Sequence, residues 1–417
     1  MAAMMATTAI ANPVAPGDVG FVKSILTPEE TETFSEEVLS DVPGEYGSSM
    51  PRLSIMSRDK SFYLGIGGSV KVTAGYDFGH PMDNPNEFFT SAIPNSVRKG
   101  DGGLLQFSAQ QSALYLNFVG LPGTDNQFSA FIGANLLGDD YAPTLQYAFL
   151  KYRGFTAGYD KTFFSDTNAA PPTIDYEGPN SYTAINTLTL NYQFSFGKEK
   201  RWSAGIGVEV PNLSATEREG FTYTVNQRVP DIPAFIKYSW NGGDSWVRGA
   251  AMLRNMMYRD VLEDRNIDKV GWGVQLSGVM ALAPRLTAFY QGVYGKGIAS
   301  YIQDLTDCGM DMLPSLSDEY HMNLTKTWGA FVGLQYDFSD DVFCSACYSH
   351  VRNYAGDSEL PMGDDQYRYA QYVDANLFWN INPYMQAGIE YIYGRRVNFD
   401  FTQAHDNRLQ LAFQVSF

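Results

Sequence analysis

The chain has 417 residues, a formal net charge of −17 and an aromatic content of 14%, while charged residues make up only 18%. No segment approaches the roughly 20 consecutive apolar residues of a membrane-spanning helix. The excess of carboxylates disfavours nucleic acid as a partner, because like charges repel. The composition therefore excludes a protein that crosses a membrane with helices and a nucleic-acid-binding protein.

The amino-terminal segment has the features of the end of a secretory signal peptide. Ala9-Ile10-Ala11 forms a small-x-small cleavage pattern after an apolar stretch, without the basic start of such a signal. A merely apolar amino terminus is the alternative. We expect residues 1–11 to be a signal-peptide remnant and residues 12–60 to form a periplasmic extension. Thr27-Pro28-Glu29-Glu30 predicts the start of one short helix, and residues 35–60, which show no periodicity, form an extension or a plug.

The pattern changes to strict two-residue alternation over residues 62–78. Apolar side chains such as Leu64, Val70 and Val72 hold one parity, and polar ones such as Lys71 and Asp77 hold the other. Soluble strands usually have about 5–6 residues. The length of this run therefore predicts a strand that crosses a bilayer and continues above it.

Similar runs recur to the end of the chain, at 112–119, 127–136, 144–152, 155–163, 187–196, 202–210, 232–240, 246–257, 271–282, 286–296, 327–338, 342–352, 367–379, 384–395 and 407–417. Short turns alternate with mostly longer connections, such as 79–102, 164–186, 211–231 and 297–326. This arrangement is typical of bacterial barrels with short periplasmic turns and long extracellular loops. We predict an all-β fold, a transmembrane antiparallel β-barrel of about 16 strands over residues 61–417.

The last run ends on an aromatic residue. Leu409, Leu411, Phe413, Val415 and Phe417 share one face of the predicted strand. This ending resembles the closing strand of bacterial outer-membrane β-barrels, in which the terminal aromatic residue is an assembly signal. The resemblance implies that role for Phe417, with the barrel-assembly machinery as a partner.

Alternation also assigns the side chains that face the inside of the barrel. The predicted pore-lining residues are Lys71, Gln146, Arg248, Arg254, Arg368, Glu390, Arg396 and Arg408. Two interpretations stand side by side: the charges orient solutes in a pore, or they form salt bridges that stiffen the wall.

One connection, at residues 164–180, is rigidified by prolines and is not very polar. We predict that it folds into the barrel as a constriction loop, where Asp166, Asp175 and Glu177 set the local potential. The alternative is an external loop that caps the barrel or contacts a neighbouring subunit.

Several segments together are similar to the DcaP-like outer-membrane channels. They are the segments 147–152, 171–179 and 388–396, and Asn407-Arg408-Leu409-Gln410-Leu411. The resemblance implies a trimeric porin of the Gram-negative outer membrane that passes small organic anions such as dicarboxylates. Family members often carry arginines where this chain has Thr144 and Gln146.

We therefore expect an outer-membrane porin for passive diffusion of small hydrophilic solutes, with lipid and lipopolysaccharide as further partners. The alternative is a surface-interaction or envelope-structural barrel with a plugged lumen, which binds through the loops at 79–102, 211–231 and 297–326. The chain has four histidines but no G-x-S-x-G motif. We predict no enzymatic activity, no catalytic residue, no cofactor and no metal.

Overall fold

The computed structural model describes residues 43, 53–57, 59–318, 320–356 and 366–417. The predicted signal-peptide remnant and most of the predicted extension lie outside these residues. Within the described residues, no helix has the length and apolar character needed to cross a membrane.

The strands are β1 Leu53–Met56, β2 Phe62–Phe78, β3 Gly103–Ser108, β4 Ala113–Gly120, β5 Phe128–Asn135, β6 Thr144–Tyr152, β7 Phe155–Lys161, β8 Asn186–Phe196, β9 Trp202–Glu209, β10 Thr222–Thr224, β11 Ile232–Trp240, β12 Ser245–Asp260, β13 Arg265–Ala283, β14 Leu286–Lys296, β15 Met312–Pro314, β16 Met322–Leu324, β17 Lys326–Asp337, β18 Val342–Tyr354, β19 Tyr367–Asn382, β20 Met385–Asn398 and β21 Gln403–Ser416. Short 3₁₀ turns occupy Thr90–Ala92, Asp139–Tyr141, Lys198–Lys200, Asn241–Gly243, Ala299–Tyr301 and Gln303–Leu305.

The sheet closes on itself because β2 pairs with β4 on one side and with β21 on the other. Both β3 and β4 pair with β2, so they are two halves of one wall strand, interrupted at residues 109–112. The barrel is closed, antiparallel and 16-stranded. The predicted fold class is confirmed.

The outer surface of the barrel is apolar. Val70, Phe107 and Leu253 are exposed although each lies in a strand that is paired within the sheet. At the end with the short turns, aromatic rings contact one another across β7, β8, β9 and β11; they belong to Phe155, Tyr192, Phe194, Phe196, Trp202, Tyr238 and Trp240. An apolar band bordered by an aromatic girdle is the surface that a bilayer requires.

The strand β1 lies in the predicted extension, at residues for which no strand was predicted. It pairs with residues 63–66 of β2. Strand β21 pairs with β2 only from Ser69 onward, which leaves residues 62–68 of β2 without a partner strand on that side. Because an open edge exposes unpaired amides and carbonyls, β1 completes the sheet there.

Two of the long loops at the opposite end fold into the barrel. Phe88 and Ile93 of loop 79–102 are fully buried, as are Tyr301, Ile302 and Leu305 of loop 297–325. The apolar side chains of these loops pack against the inner wall and against one another. The buried parts of these two loops are therefore not available as a surface, whereas residues 98–102 and part of loop 211–231 are exposed.

Candidate functional site

Loop 162–185, which follows β7, is fixed at its base to the wall formed by β9 and β12. The amide of Phe163 and the hydroxyl of Thr162 donate to the two carboxylate oxygens of Glu209, at 2.5 and 2.8 Å. Arg248 on β12 donates to the carbonyl oxygens of Phe163 and Phe164, at 2.6 and 2.9 Å. The inward arginine thus holds the loop as well as facing the lumen.

Asp166 strengthens the same base. One of its carboxylate oxygens accepts hydrogen bonds from the indole of Trp246, at 2.9 Å, and from the hydroxyl of Ser277, at 2.8 Å. The side chain is buried. Its position therefore fixes the loop rather than presenting a charge directly to water.

The tip of the loop reaches the opposite wall, formed by β2 and β20. Glu390 accepts from the amides of Ile174 and Asp175, at 2.6 and 2.9 Å. The ammonium group of Lys71 donates to the carbonyl oxygen of Ile174, at 3.1 Å. On the β6 wall, Gln146 accepts from the hydroxyl of Tyr176, at 3.1 Å. The loop therefore crosses the lumen from wall to wall, as a constriction loop does.

Two carboxyl groups lie at the crossing. Asp175 accepts from the amide of Phe88 and the hydroxyl of Tyr372, both at 2.9 Å. Burial, assisted by the nearby Glu390 charge, raises the pKa of Asp175 to about 7. Burial and the nearby Asp304 raise the pKa of Glu177 well above its usual range. Within the described residues, neither carboxylate oxygen of Glu177 has a hydrogen-bond partner.

Two predicted pore-lining arginines are fully buried in ion pairs. Arg254 contacts Asp231 at 3.0 Å and Asp311 at 3.4 Å, which tethers loops 211–231 and 297–325 to β12. Arg408 pairs with Asp77 through two bonds, at 2.6 and 2.9 Å. Of the two interpretations of the inward charges, wall salt bridges describe these two residues.

The remaining two arginines differ from each other. Arg396 faces inward and donates to the backbone of Ser91 and, at 2.9 Å, to Asn95, so it anchors loop 79–102. Arg368 lies at a bulge of β19, where its guanidinium is 4.8 Å from the ring centroid of the exposed Phe401. The irregular register at this bulge breaks the alternation that predicted an inward position for Arg368.

Two cavities flank loop 162–185, with volumes of about 540 and 610 Å³. The first lies near the short-turn end, and its charged lining residues are the basic Lys151, Arg153, Lys161, Lys237 and Arg248 and the acidic Asp160 and Asp166. The second is lined by Lys71 and Lys161 and by Asp175 and Glu177. The first cavity is therefore lined by five basic residues and two acidic ones.

Some residues of this site were missed in the sequence. Lys237 faces inward on β11, and its ammonium group lies 4.1 Å from the ring centroid of Trp246. Alternation along β11 could have found it. Ile298, Ile302 and Leu305 are the sequence signal for the inward folding of loop 297–325. Apolar side chains in a loop are more stable when they are buried against the inner wall, which is the argument used above for loop 164–180.

Comparison with known structures shows the same architecture. The DcaP outer-membrane channel of Acinetobacter baumannii matches with a TM-score of 0.74 and 19% identity, over 87% of this chain and 99% of that channel. The anion-selective porin from Comamonas acidovorans matches with a TM-score of 0.54 and 11% identity, over 85% of this chain and 100% of that porin. OmpF of Salmonella typhi matches with a TM-score of 0.54 and 13% identity, over 88% and 100%. The predicted resemblance to DcaP-like channels is confirmed as a likeness of fold.

A search among curated protein sequences finds no match. The family model described as the porin subfamily matches residues 120–413, which is well over half of the chain. The closed barrel with an apolar outer band agrees with this match and with an outer-membrane location. The chain therefore belongs to the porin subfamily.

Proposed function

We propose that this porin conducts small hydrophilic solutes by passive diffusion and prefers small organic anions such as dicarboxylates. The observation that carries the proposal is the excess of basic residues around the cavity at the short-turn end, five against two. A passage lined with one sign of charge concentrates ions of the opposite sign. The porin catalyses no reaction in this account.

The protonation of the constriction loop supports the same preference. Burial raises the pKa of Asp175 to about 7 and raises the pKa of Glu177 well above its usual range. Both groups therefore carry less negative charge at neutral pH than exposed carboxylates would. Lys71 and Lys161 line the same cavity, so its balance shifts toward positive charge.

Reversal potentials in a planar bilayer test this proposal. With a gradient of potassium chloride, and then of potassium succinate, we expect the wild-type reversal potential to lie on the anion side. Lys237→Glu should move it toward cations. Lys326→Glu is the control, since Lys326 is exposed outside the lumen. A cation-selective wild-type channel would contradict the anion preference.

A second candidate function is that of a surface-interaction or envelope-structural barrel with a plugged lumen. Loops 79–102, 162–185 and 297–325 all pack inside the barrel, which favours a closed interior. Such a barrel would act in surface interactions or in envelope structure. It would insert into the bilayer and remain silent, whereas a porin gives stepwise currents.

The short strands on one side of the barrel support a homotrimer. Strands β4, β5, β6 and β7 have only seven to nine residues, whereas β13 has 19. A strand needs about 9–11 residues to cross the hydrocarbon layer. Leu114, Ile132 and Leu150 nevertheless face outward and are exposed. Neighbouring subunits would cover this low apolar wall, and cross-linking of the folded protein tests the stoichiometry.

Basic residues on the outer surface support lipopolysaccharide as a partner. Lys296 and Lys326 are paired across β14 and β17, and alternation places both outward at the long-loop end. Arg352 lies over Tyr354, 4.8 Å from the ring centroid, next to the same surface. Cations at this level of an outer membrane suit the phosphates of a lipopolysaccharide headgroup.

A further inference from the structure

A cluster of three potential metal ligands joins two loops at the long-loop end. His321 is the residue before β16, Asp260 is the last residue of β12, and Glu263 lies in the turn between β12 and β13. One ligand atom from each residue lies within 4.8 Å of those from the other two. The cluster is separate from the constriction loop and from both cavities beside it.

The distances within the cluster match those between two ligands of one metal ion. The Nε2 atom of His321 is 3.1 Å from a carboxylate oxygen of Asp260 and 3.3 Å from one of Glu263. Two metal–ligand bonds of about 2.0–2.1 Å at a tetrahedral angle place the ligand atoms about 3.3 Å apart. Among the described residues, Nε2 makes no hydrogen bond of good geometry with either oxygen.

The other nitrogen of His321 orients the ring. Its Nδ1 atom lies 3.3 Å from a carboxylate oxygen of Asp318. With Nδ1–H donating to that carboxylate, Nε2 turns its lone pair toward Asp260 and Glu263. A carboxylate that fixes the tautomer of a ligating histidine is a regular feature of metal sites. In this tautomer three electron-rich atoms face one point, which is the arrangement that a bound cation uses.

The backbone holds the ligands in place before any ion arrives. The second oxygen of Asp260 accepts from the amide of Glu263, at 2.9 Å, and the carboxylate of Asp260 is almost fully buried. The carbonyl oxygen of His321 accepts from the amide of Ser315, at 2.9 Å, within the β15–β16 hairpin. Arg265 pairs with the other oxygen of Glu263 and leaves the first one facing His321.

We infer that His321, Asp260 and Glu263 bind a divalent transition-metal ion of the Zn²⁺ class. One imidazole nitrogen with two carboxylate oxygens suits Zn²⁺ and its neighbours, whereas Ca²⁺ and Mg²⁺ take oxygen ligands. His321 and Glu263 are partly exposed, so a water molecule can complete the coordination. The ion would clamp the β15–β16 hairpin onto the β12–β13 turn.

Titration of the folded, detergent-solubilised full chain without a histidine tag tests this inference. The probes are ZnCl₂ followed by calorimetry and CoCl₂ followed by its visible absorption. We expect one equivalent of metal per chain, with no competition from excess CaCl₂. His321→Gln and Asp260→Asn should each abolish the uptake. Asp264→Asn is the matched control, because it removes a carboxylate from the same turn that pairs with Arg259 instead.

Folding and loop protection are measured alongside. The heat-modified gel mobility of each variant shows whether its barrel is intact. Bound Zn²⁺ should slow proteolysis of loop 297–325 in the wild type and in Asp264→Asn, but not in folded His321→Gln. Absence of uptake by the wild type, uptake that persists in His321→Gln, or displacement by Ca²⁺ would overturn the inference.

Discussion

The carboxylate of Glu390 on β20 accepts a hydrogen bond, at 2.9 Å, from the amide of Asp175 at the tip of loop 162–185. The base of the same loop is held by Glu209 and Arg248 on the opposite wall. A loop that is bonded to both walls cannot swing out without breaking buried hydrogen bonds. This attachment explains how a long connection between strands becomes part of the lumen.

Removing the acceptor at the tip should loosen the constriction. Glu390→Ala leaves the amides of Ile174 and Asp175 without their acceptor, and a buried unsatisfied group costs about 1–3 kcal/mol. We expect faster entry of larger neutral sugars into proteoliposomes. Gln386→Ala is the control, since Gln386 lines the same cavity and bonds to Asn380 instead of the loop. Equal sugar entry by both variants would contradict the anchoring role.

The two predicted pore arginines on β19 and β21 should differ in their effect on stability. Arg408→Ala leaves Asp77 buried without its charge partner, which costs about 3–5 kcal/mol. Arg368→Ala loses a cation–π contact to an exposed ring, worth about 0.5–1 kcal/mol. Urea unfolding in lipid vesicles measures both. If the two variants lost similar free energies of unfolding, burial of the Arg408–Asp77 pair would not determine its contribution to stability.

Ion selectivity should depend on pH through Asp175. Its pKa is raised to about 7, so the carboxyl is neutral below that pH and becomes negative above it. Anion preference should therefore fall as the pH rises from about 6 to about 8. Asp175→Asn should keep the low-pH selectivity throughout this range, because Asn cannot ionise. Asp125→Asn, in an exposed turn, should behave like the wild type. A wild-type selectivity that is constant over the range would refute the assignment.

The outward lysines should govern the binding of lipopolysaccharide. Lys296→Glu combined with Lys326→Glu places negative charge where we expect phosphates, so less lipopolysaccharide should copurify with the barrel. Lys198→Glu changes an exposed lysine at the short-turn end and should have no effect. Mass spectrometry of the purified protein gives the ratio of bound lipopolysaccharide to barrel. Unchanged lipid in the double variant would rule out this surface.

The terminal aromatic residue should matter for assembly. Phe417 exchanges two backbone hydrogen bonds with Gly68, both at 2.9 Å, where the last strand closes the barrel. Phe417→Ser should slow insertion into the outer membrane and leave the conductance of inserted barrels unchanged. Phe401→Ser removes an exposed ring at the long-loop end and should insert normally. Normal insertion of Phe417→Ser would remove the assembly role predicted for it.

The wall of the barrel could be predicted from the sequence because each strand has one lipid face, and a two-residue period records it directly. The inward path of loop 162–185 was also predictable from its low polarity. The partners of the inward charges were not. Arg254 meets Asp231 and Asp311, which lie in two loops far apart in sequence, and alternation contains no information about such contacts.

The metal cluster lies beyond sequence reasoning for a similar reason. Asp260 and Glu263 are close in sequence, but His321 approaches them only because the β15–β16 hairpin packs against β12 and β13. The bulge that displaces Arg368 is likewise set by the local pairing of β19 with β20, where the register shifts. Both features depend on tertiary contacts that a periodic pattern does not encode.

The most direct measurement is the single-channel conductance of the wild type and of a variant in which residues 166–176 are replaced by a short Gly-Ser linker. If loop 162–185 forms the constriction of an open channel, the wild type gives stepwise currents and the variant gives larger ones. A wild type that inserts but stays silent, or a variant with unchanged conductance, would contradict the account.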